Sequence, residues 1–343
     1  MGRRANGRVL AALAALALLG AGCTAGSEQA ASTSSPSTTP PAPSSEASAS
    51  ADPDRQLVFA VVTNGAPTDP FWEVVKSGAE DAGAVNDAQI DYQSDPDPSA
   101  QARLVDAAVS AAVDGLIVSM PDPDTLSEPM MRAGEAGIPV ITINEGAERS
   151  AEFGALTHVG QSDLDAGRGA GQRLRDAGVT TLLCVIQESG DQTLEQRCQG
   201  AAEGFGGTDT SVINLPVNGG NLSAAETTIV SELTAEPRID GVLTLSAAVA
   251  SAAAAALENT GSAATLATFE SGTDVQQAIR DGQILFAVDQ QEYLQGYLPV
   301  VFLGLFVRTG TIAGAGQPVP TGPRYVTLDN VDTVMDLSMT GTR

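Results

Sequence analysis

Leu57-Val58-Phe59-Ala60-Val61-Val62-Thr63-Asn64-Gly65-Ala66-Pro67-Thr68-Asp69-Pro70-Phe71-Trp72 runs from an apolar, β-branched segment through a polar turn into a helix start. Residues 57–63 have the length and composition of a buried strand. Asp69-Pro70 offers an N-cap side chain followed by a first-turn proline, so a helix is expected to open there, with Phe71 and the chain's single tryptophan, Trp72, in its first turn. The same alternation continues outward. Further strands are expected at 89–93, 115–120, 140–144, 155–159, 181–186, 211–215, 241–245, 266–269, 284–288 and 325–327. Between them lie amphipathic helices, with Ser99, Thr125, Asp163, Thr193 and Ser271 as candidate caps and Gly261, Gly282 and Gly310 as candidate stops. Strands alternating with longer helices make an α/β fold with a mostly parallel sheet. There are too many strands for one small sheet, and roughly 290 residues from Arg55 onward exceed one ordinary core. Two similar halves are therefore favoured over a single doubly wound sheet.

The amino-terminal segment differs in kind. Arg3, Arg4 and Arg8 precede an apolar run over 9–19, and Gly20-Ala21-Gly22 leads to Cys23. The run is shorter than the roughly 20 residues of a membrane span, and the pattern is that of an export signal. Small residues ending at a cysteine resemble the lipobox of bacterial lipoproteins, with residues 1–23 as signal and Cys23 as the lipidated residue of the mature chain. Gly20 stands where lipoboxes carry a branched aliphatic residue, so ordinary cleavage nearby remains the alternative. Residues 24–54 are dominated by Ser, Thr, Ala and Pro and are expected to be a disordered tether.

Composition excludes several functions. A formal net charge of -25 repels phosphate backbones, so no nucleic acid is expected as partner. Lysine occurs once, at Lys76 after Val75, so there is no Gly-Lys phosphate loop. The single histidine, His158, leaves no His-rich metal site, and no Gly-x-Ser-x-Gly turn follows any strand. The glycines of Gly167-Arg168-Gly169-Ala170-Gly171 fall inside an amphipathic stretch and suit helix packing rather than a dinucleotide loop. Residues 298–307 form the most hydrophobic stretch after the signal, read as a buried helix too short to span a membrane, and the alanine run 247–256 reads as a tightly packed helix. Cys184 and Cys198 are an even pair compatible with a disulfide, with two buried thiols as the alternative.

Polar and aromatic residues recur just after strand ends, where open α/β sheets bind ligands. Asn64 to Trp72 follows the first strand and Asn144-Glu145 the fourth. Gln187-Glu188-Ser189-Gly190 follows the sixth, with Arg197 shortly after. Ser246 ends the eighth predicted strand, Glu270 the ninth and Asp289-Gln290-Gln291 the tenth. Such a set suggests one converging pocket. A flat aromatic covers the C–H face of a sugar, and Arg, Asn, Asp and Gln side chains satisfy its hydroxyls.

In this order the motifs resemble the type I periplasmic sugar-binding proteins of ABC transporters, the ribose- and galactose-binding class, over 57–340. Asp69-Pro70-Phe71-Trp72 is similar to that family's aromatic first-helix motif. Pro139-Val140-Ile141-Thr142-Ile143-Asn144 is similar to the segment whose last side chain takes sugar hydroxyls. Val159-Gly160-Gln161-Ser162-Asp163 corresponds to the first hinge crossing, and Arg197-Cys198-Gln199-Gly200 to the family's Arg-x-x-Gly.

The resemblance implies two Rossmann-like lobes joined by a three-crossing hinge, 55–160 plus 290–321 and 161–289 plus 322–343. It implies ligand contacts from Asp69, Phe71, Trp72, Asn144, Glu145, Arg197, Ser246, Glu270 and Gln290. It also implies a monomer that needs no cofactor or metal, is not an enzyme, and delivers its ligand to a membrane permease from the outer face of the cell membrane. Glu145 stands where ribose binders have arginine, Ser246 replaces an amide, and Glu270 is longer than the usual Asp. More acceptors and fewer donors suit a small neutral sugar or polyol. Arg197 has Glu195 and Glu203 as alternative partners on its own helix. If it serves only the ligand, Arg197→Ala is expected to abolish binding and leave stability nearly unchanged. A sensor of the same fold reporting to a membrane protein, and an extracellular glycoside hydrolase with a carboxylate pair, are the alternative functions.

Overall fold

A computed structural model describes residues 55–66, 69–207 and 210–342. The signal, Cys23 and the tether lie outside the described residues. The first strand, β1 (Leu57–Thr63), explains its own composition. Leu57, Phe59 and Val61 enter one hydrophobic cluster, whereas Ala60 and Val62 enter another on the opposite face. A strand buried on both sides has no polar face to alternate with.

The first lobe continues with α1 (Pro70–Val85), β2 (Ala88–Ser94), α2 (Pro98–Ser110), β3 (Gly115–Ser119), α3 (Pro123–Glu135), β4 (Val140–Ile143), the short α4 (Ala147–Ser150) and β5 (Thr157–Gly160). The second holds α5 (Asp163–Asp176), β6 (Thr181–Ile186), α6 (Gln192–Phe205), β7 (Ser211–Pro216), α7 (Leu222–Ala235), β8 (Gly241–Thr244), α8 (Ala247–Thr260), β9 (Thr265–Phe269), α9 (Thr273–Arg280) and β10 (Phe286–Asp289). The chain returns through α10 (Glu292–Thr309) and β11 (Val319–Pro320), then ends with β12 (Arg324–Thr327) and α11 (Val331–Ser338).

Two six-stranded sheets result, in the orders β11-β5-β4-β3-β1-β2 and β12-β10-β9-β8-β6-β7. The first is parallel throughout; in the second only β12 runs antiparallel, against β10. The two halves thus share one winding order, and the expectation of two α/β lobes with mostly parallel sheets holds.

Helices cover both faces of each sheet. Buried residues of α1 and α10 pack on one side of the first sheet, and those of α2 and α3 on the other. In the second lobe α5 and α6 lie opposite α7, α8 and α9. The α5–α6 and α1–α10 pairs approach at backbone distance. A Cβ on Gly167, Gly171, Gly200 or Gly204 would collide with a carbonyl of the partner helix, as would one on Gly78 or Gly296. Gly167 and Gly171 of α5 therefore serve helix packing, whereas a Cβ on Gly169 would meet the Tyr325 hydroxyl of β12. Cys184 in β6 and Cys198 in α6 are joined by a disulfide, Cα–Cα 5.9 Å, that fastens helix to sheet.

Several helix starts differ from the sequence reading. Asp97, Asp122, Ser162 and Asp191 cap α2, α3, α5 and α6 in place of Ser99, Thr125, Asp163 and Thr193. At α9 Gly272 takes the cap position with no side-chain bond, in place of Ser271. In α2 and α3 the cause is a proline at the first helical position, which fixes the start just after the preceding aspartate. The apolar stretch 298–307 is part of α10, which begins earlier and holds Pro299 inside it. No helix among the described residues is long and apolar enough to cross a membrane. β11 was not expected, since two residues ending in proline carry no periodicity.

Candidate functional site

The chain passes between the sheets three times, after β5, after β10 and between β11 and β12. These crossings are tied to one another. The Thr321 N–H donates to Gly160 O (2.9 Å), the Thr321 hydroxyl donates to Gln290 O (2.7 Å), and the Gln291 amide donates to Thr321 O. Gln290 itself, 4 % exposed, accepts from Asn144 Nδ2 at 3.3 Å, and Gln295 of α10 accepts from the same nitrogen at 3.1 Å. Asn144 reaches both from a left-handed backbone, φ 60°.

Beside the crossings lies a cleft of about 1050 Å³. Its first-lobe wall includes Asn144 and Glu145, its second-lobe wall Asp163 and Asp191, and Gln161 of the first crossing also lines it. Glu145 follows β4 and accepts from Asn64 Nδ2 (3.3 Å), while Asn64 Oδ1 accepts from the Ser119 hydroxyl (2.6 Å) after β3. Three strand ends of the first lobe are thereby linked. In the second lobe Arg197, 7 % exposed, donates through Nε to Asp163 (2.7 Å) and through Nη1 to Leu245 O (3.3 Å), and stands over the Phe269 ring at 4.7 Å. Glu270, also left-handed at φ 65°, accepts from the Ala247 N–H (3.2 Å), and the Ser246 hydroxyl caps the same helix through Val249 N–H (3.4 Å).

The charges interact across the cleft. Burial pushes the Glu145 carboxyl up to about 7, reinforced by Asp191 and Asp163 of the other lobe and opposed by Arg197 and the Asn64 bond. Glu270 is raised by burial and further by Asp69, again from the opposite lobe, against the pull of Arg197. Burial opposes the charge on Arg197, but Asp163, then Glu270 and Asp191, hold its guanidinium firmly protonated. An arrangement with this surplus of carboxylates accepts hydrogen bonds and repels anions.

The sequence-expected residues divide accordingly. Asn144 and Glu145 line the cleft, Gln290 bonds to Asn144 within the first lobe, and Arg197 and Glu270 of the second lobe feel the charges of Glu145 and Asp69 from the first. Ser246 sits at the cap of α8. Trp72 goes elsewhere: it is 8 % exposed, joins the first lobe's core and packs against Gly65, where a Cβ would strike its ring. Half-buried Phe71 meets it edge-on at 4.9 Å and packs against the same core, outside the lining of the cleft. Arg197 pairs with Asp163 on the neighbouring helix and not with Glu195 or Glu203. Because that pair is buried, Arg197→Ala is expected to destabilise the unliganded protein, against the sequence expectation. Asn64, Gln161, Asp163, Asp191 and Gln295 were not singled out as site residues. Asn64, Asp163 and Asp191 all stand near strand ends or a crossing, a signal available in the sequence; Gln295, inside a helix, gave none. Among the described residues no group of three His, Cys, Asp or Glu could hold a metal ion.

Known proteins share this architecture. The family model for periplasmic binding protein domains matches residues 59–305. The xylose/arabinose-binding protein XylF of Sulfolobus acidocaldarius is 26% identical over 301 residues, covering 81% of this chain and 72% of that protein. The crystal structure of a carbohydrate transporter from Acidothermus cellulolyticus in complex with myo-inositol is 39% identical, with TM-score 0.77, over 84% of this chain and 100% of that one. The periplasmic ribose ABC transporter of Conexibacter woesei shares the fold at 22% identity and TM-score 0.73, over 82% of this chain and 95% of its own. With twin mostly parallel sheets, three tied crossings and a match running from β1 into α10, the chain belongs to the periplasmic binding protein family.

Proposed function

We propose that the protein captures a small neutral sugar or polyol outside the cytoplasm and delivers it, chemically unchanged, to the permease of an ABC transporter. Lipidated Cys23 and the tether keep it at the outer face of the membrane, and it acts as a monomer. With the lobes closed, Phe71 covers a C–H face of the ligand. Asp69, Asn144, Glu145, Ser246, Glu270 and Gln290 take its hydroxyl protons, and Arg197 donates to ring or hydroxyl oxygens. The observation that carries this reading is the cleft of about 1050 Å³ beside the crossings, with Asn144 and Glu145 on one wall and Asp163 and Asp191 on the other. Such acidic walls suit a neutral guest with many O–H donors. The myo-inositol complex of the relative from Acidothermus cellulolyticus supports a polyol.

A thermal-shift screen tests it. Myo-inositol, xylose, arabinose and ribose are each added at increasing concentration, and one that reaches 100 times its dissociation constant stabilises by roughly 2.7 kcal/mol. Arg197→Ala is expected to lower the unliganded stability by about 3 kcal/mol, as breaking a buried pair does, and to lose the shift. Phe71→Ala is expected to lose most of the shift at little cost to the unliganded protein. No shift with any neutral sugar or polyol, or turnover of a glycoside, overturns the reading.

A further inference from the structure

Gln161 lies on the first crossing, directly after β5, and its side chain is 4 % exposed. Nearly every other polar group of the hinge described above is bonded to a neighbour. Neither Oε1 nor Nε2 of Gln161 has a hydrogen-bond partner. The residue nevertheless borders the cleft, with Asn144 and Glu145 on one wall and Asp163 on the other. Its Oε1 is held against the third crossing, where a Cβ on Gly322 would come within 2.6 Å of it. A buried primary amide with both ends unbonded sacrifices its hydration for nothing inside the protein. Such a group persists where it serves a ligand.

We infer that Gln161 is a specificity-determining residue of the cleft, reading a pair of adjacent ligand hydroxyls from the first crossing. Its Oε1 accepts from one hydroxyl and its Nε2 donates to the next, a match to a vicinal diol that carboxylate walls alone do not offer. It rests on the sugar-receptor reading and adds to it a preference for ligands with two neighbouring hydroxyls at the hinge end. A site built to bond a hydroxyl rejects the analogue lacking it, because its own polar group is then left unpaired.

Calorimetry on the wild-type protein, Gln161→Met and Gln161→Ala tests this, with myo-inositol, D-xylose, L-arabinose and D-ribose each titrated separately. For whichever sugar the wild type binds, both variants are expected to bind about 10- to 100-fold more weakly, the loss of two neutral hydrogen bonds. The near-isosteric Gln161→Met is expected to keep or raise the melting temperature without sugar, since it removes an unbonded buried amide. Binding within twofold of wild type in either variant overturns the inference and leaves the receptor reading standing. A melting temperature that falls in Gln161→Met without sugar means that the amide is bonded within the hinge, and also overturns it. A wild type that binds no neutral sugar or polyol removes the receptor reading and the inference together.

Discussion

Half-buried Glu145 and buried His158 are titratable residues of the first lobe whose protons respond to pH in opposite senses. Burial, with Asp191 and Asp163, raises Glu145 from 4.5 to about 7. Burial lowers His158 from 6.5 to about 4; its Nδ1 lies 3.0 Å from the Thr142 hydroxyl, while Nε2 has no partner. Between about pH 7 and 4.5 the folded protein holds a proton on Glu145 that the unfolded chain releases, so acidification stabilises. Between about pH 6.5 and 4 the unfolded chain protonates histidine while the folded protein does not, so acidification destabilises. Each effect is on the order of 2 to 3 kcal/mol, and the two nearly cancel. Without sugar, Glu145→Gln is therefore expected to lose stability relative to the wild type from pH 7 to 5, and His158→Gln to gain it. Parallel melting curves for all three across that range would contradict the assignment. The sequence made Glu145 visible through its place after a strand. It did not reveal these environments, because Asn64 lies 81 residues from Glu145 and Asp163 lies 34 from Arg197. Pairings at such separations leave no local pattern to read.

At the scale of elements, the strands were legible because buried parallel strands are short apolar runs bounded by turn residues. Helix starts were misread where an Asp-Pro pair outranked a nearby Ser or Thr, although Asp69-Pro70 carried the same signal openly. The close α5–α6 contact was legible only as a surplus of glycine. Gly200 shows what that surplus does: a Cβ there would run into Leu164 O, and both Leu164 C and Arg168 N lie 2.9 Å away, all backbone atoms of α5. Backbone cannot swing aside as a side chain can, so α6 must move outward and carry Arg197 from Asp163. Alanine's better helix propensity, about 1 kcal/mol, is smaller than the strain of such overpacking, about 1–3 kcal/mol or more. Gly200→Ala is expected to lower the urea midpoint and weaken sugar binding together. An unchanged midpoint would show that the helices tolerate a wider spacing.

For the whole molecule, the distribution of charge bears on how the lobes move. Glu145 and Asp69 belong to the first lobe; Asp163, Asp191 and Glu270 belong to the second, and the chain's formal charge is -25. Like charges on facing walls oppose closure in the empty state, and Arg197, already committed to Asp163, relieves them only in part. A neutral ligand whose hydroxyls donate to both walls changes that balance, because its contacts are all satisfied only when the lobes meet. The three crossings form a short bundle of strand ends linked through Thr321, Gly160 and Gln290, and bending between the lobes is expected there. Saturation with the bound sugar is therefore expected to reduce the radius of gyration in small-angle scattering. Raising ionic strength without sugar is expected to reduce it less, by screening the facing carboxylates. A radius that stays constant under a saturating ligand would mean that the cleft binds without closing, and the hinge would then have no part in delivery to a permease.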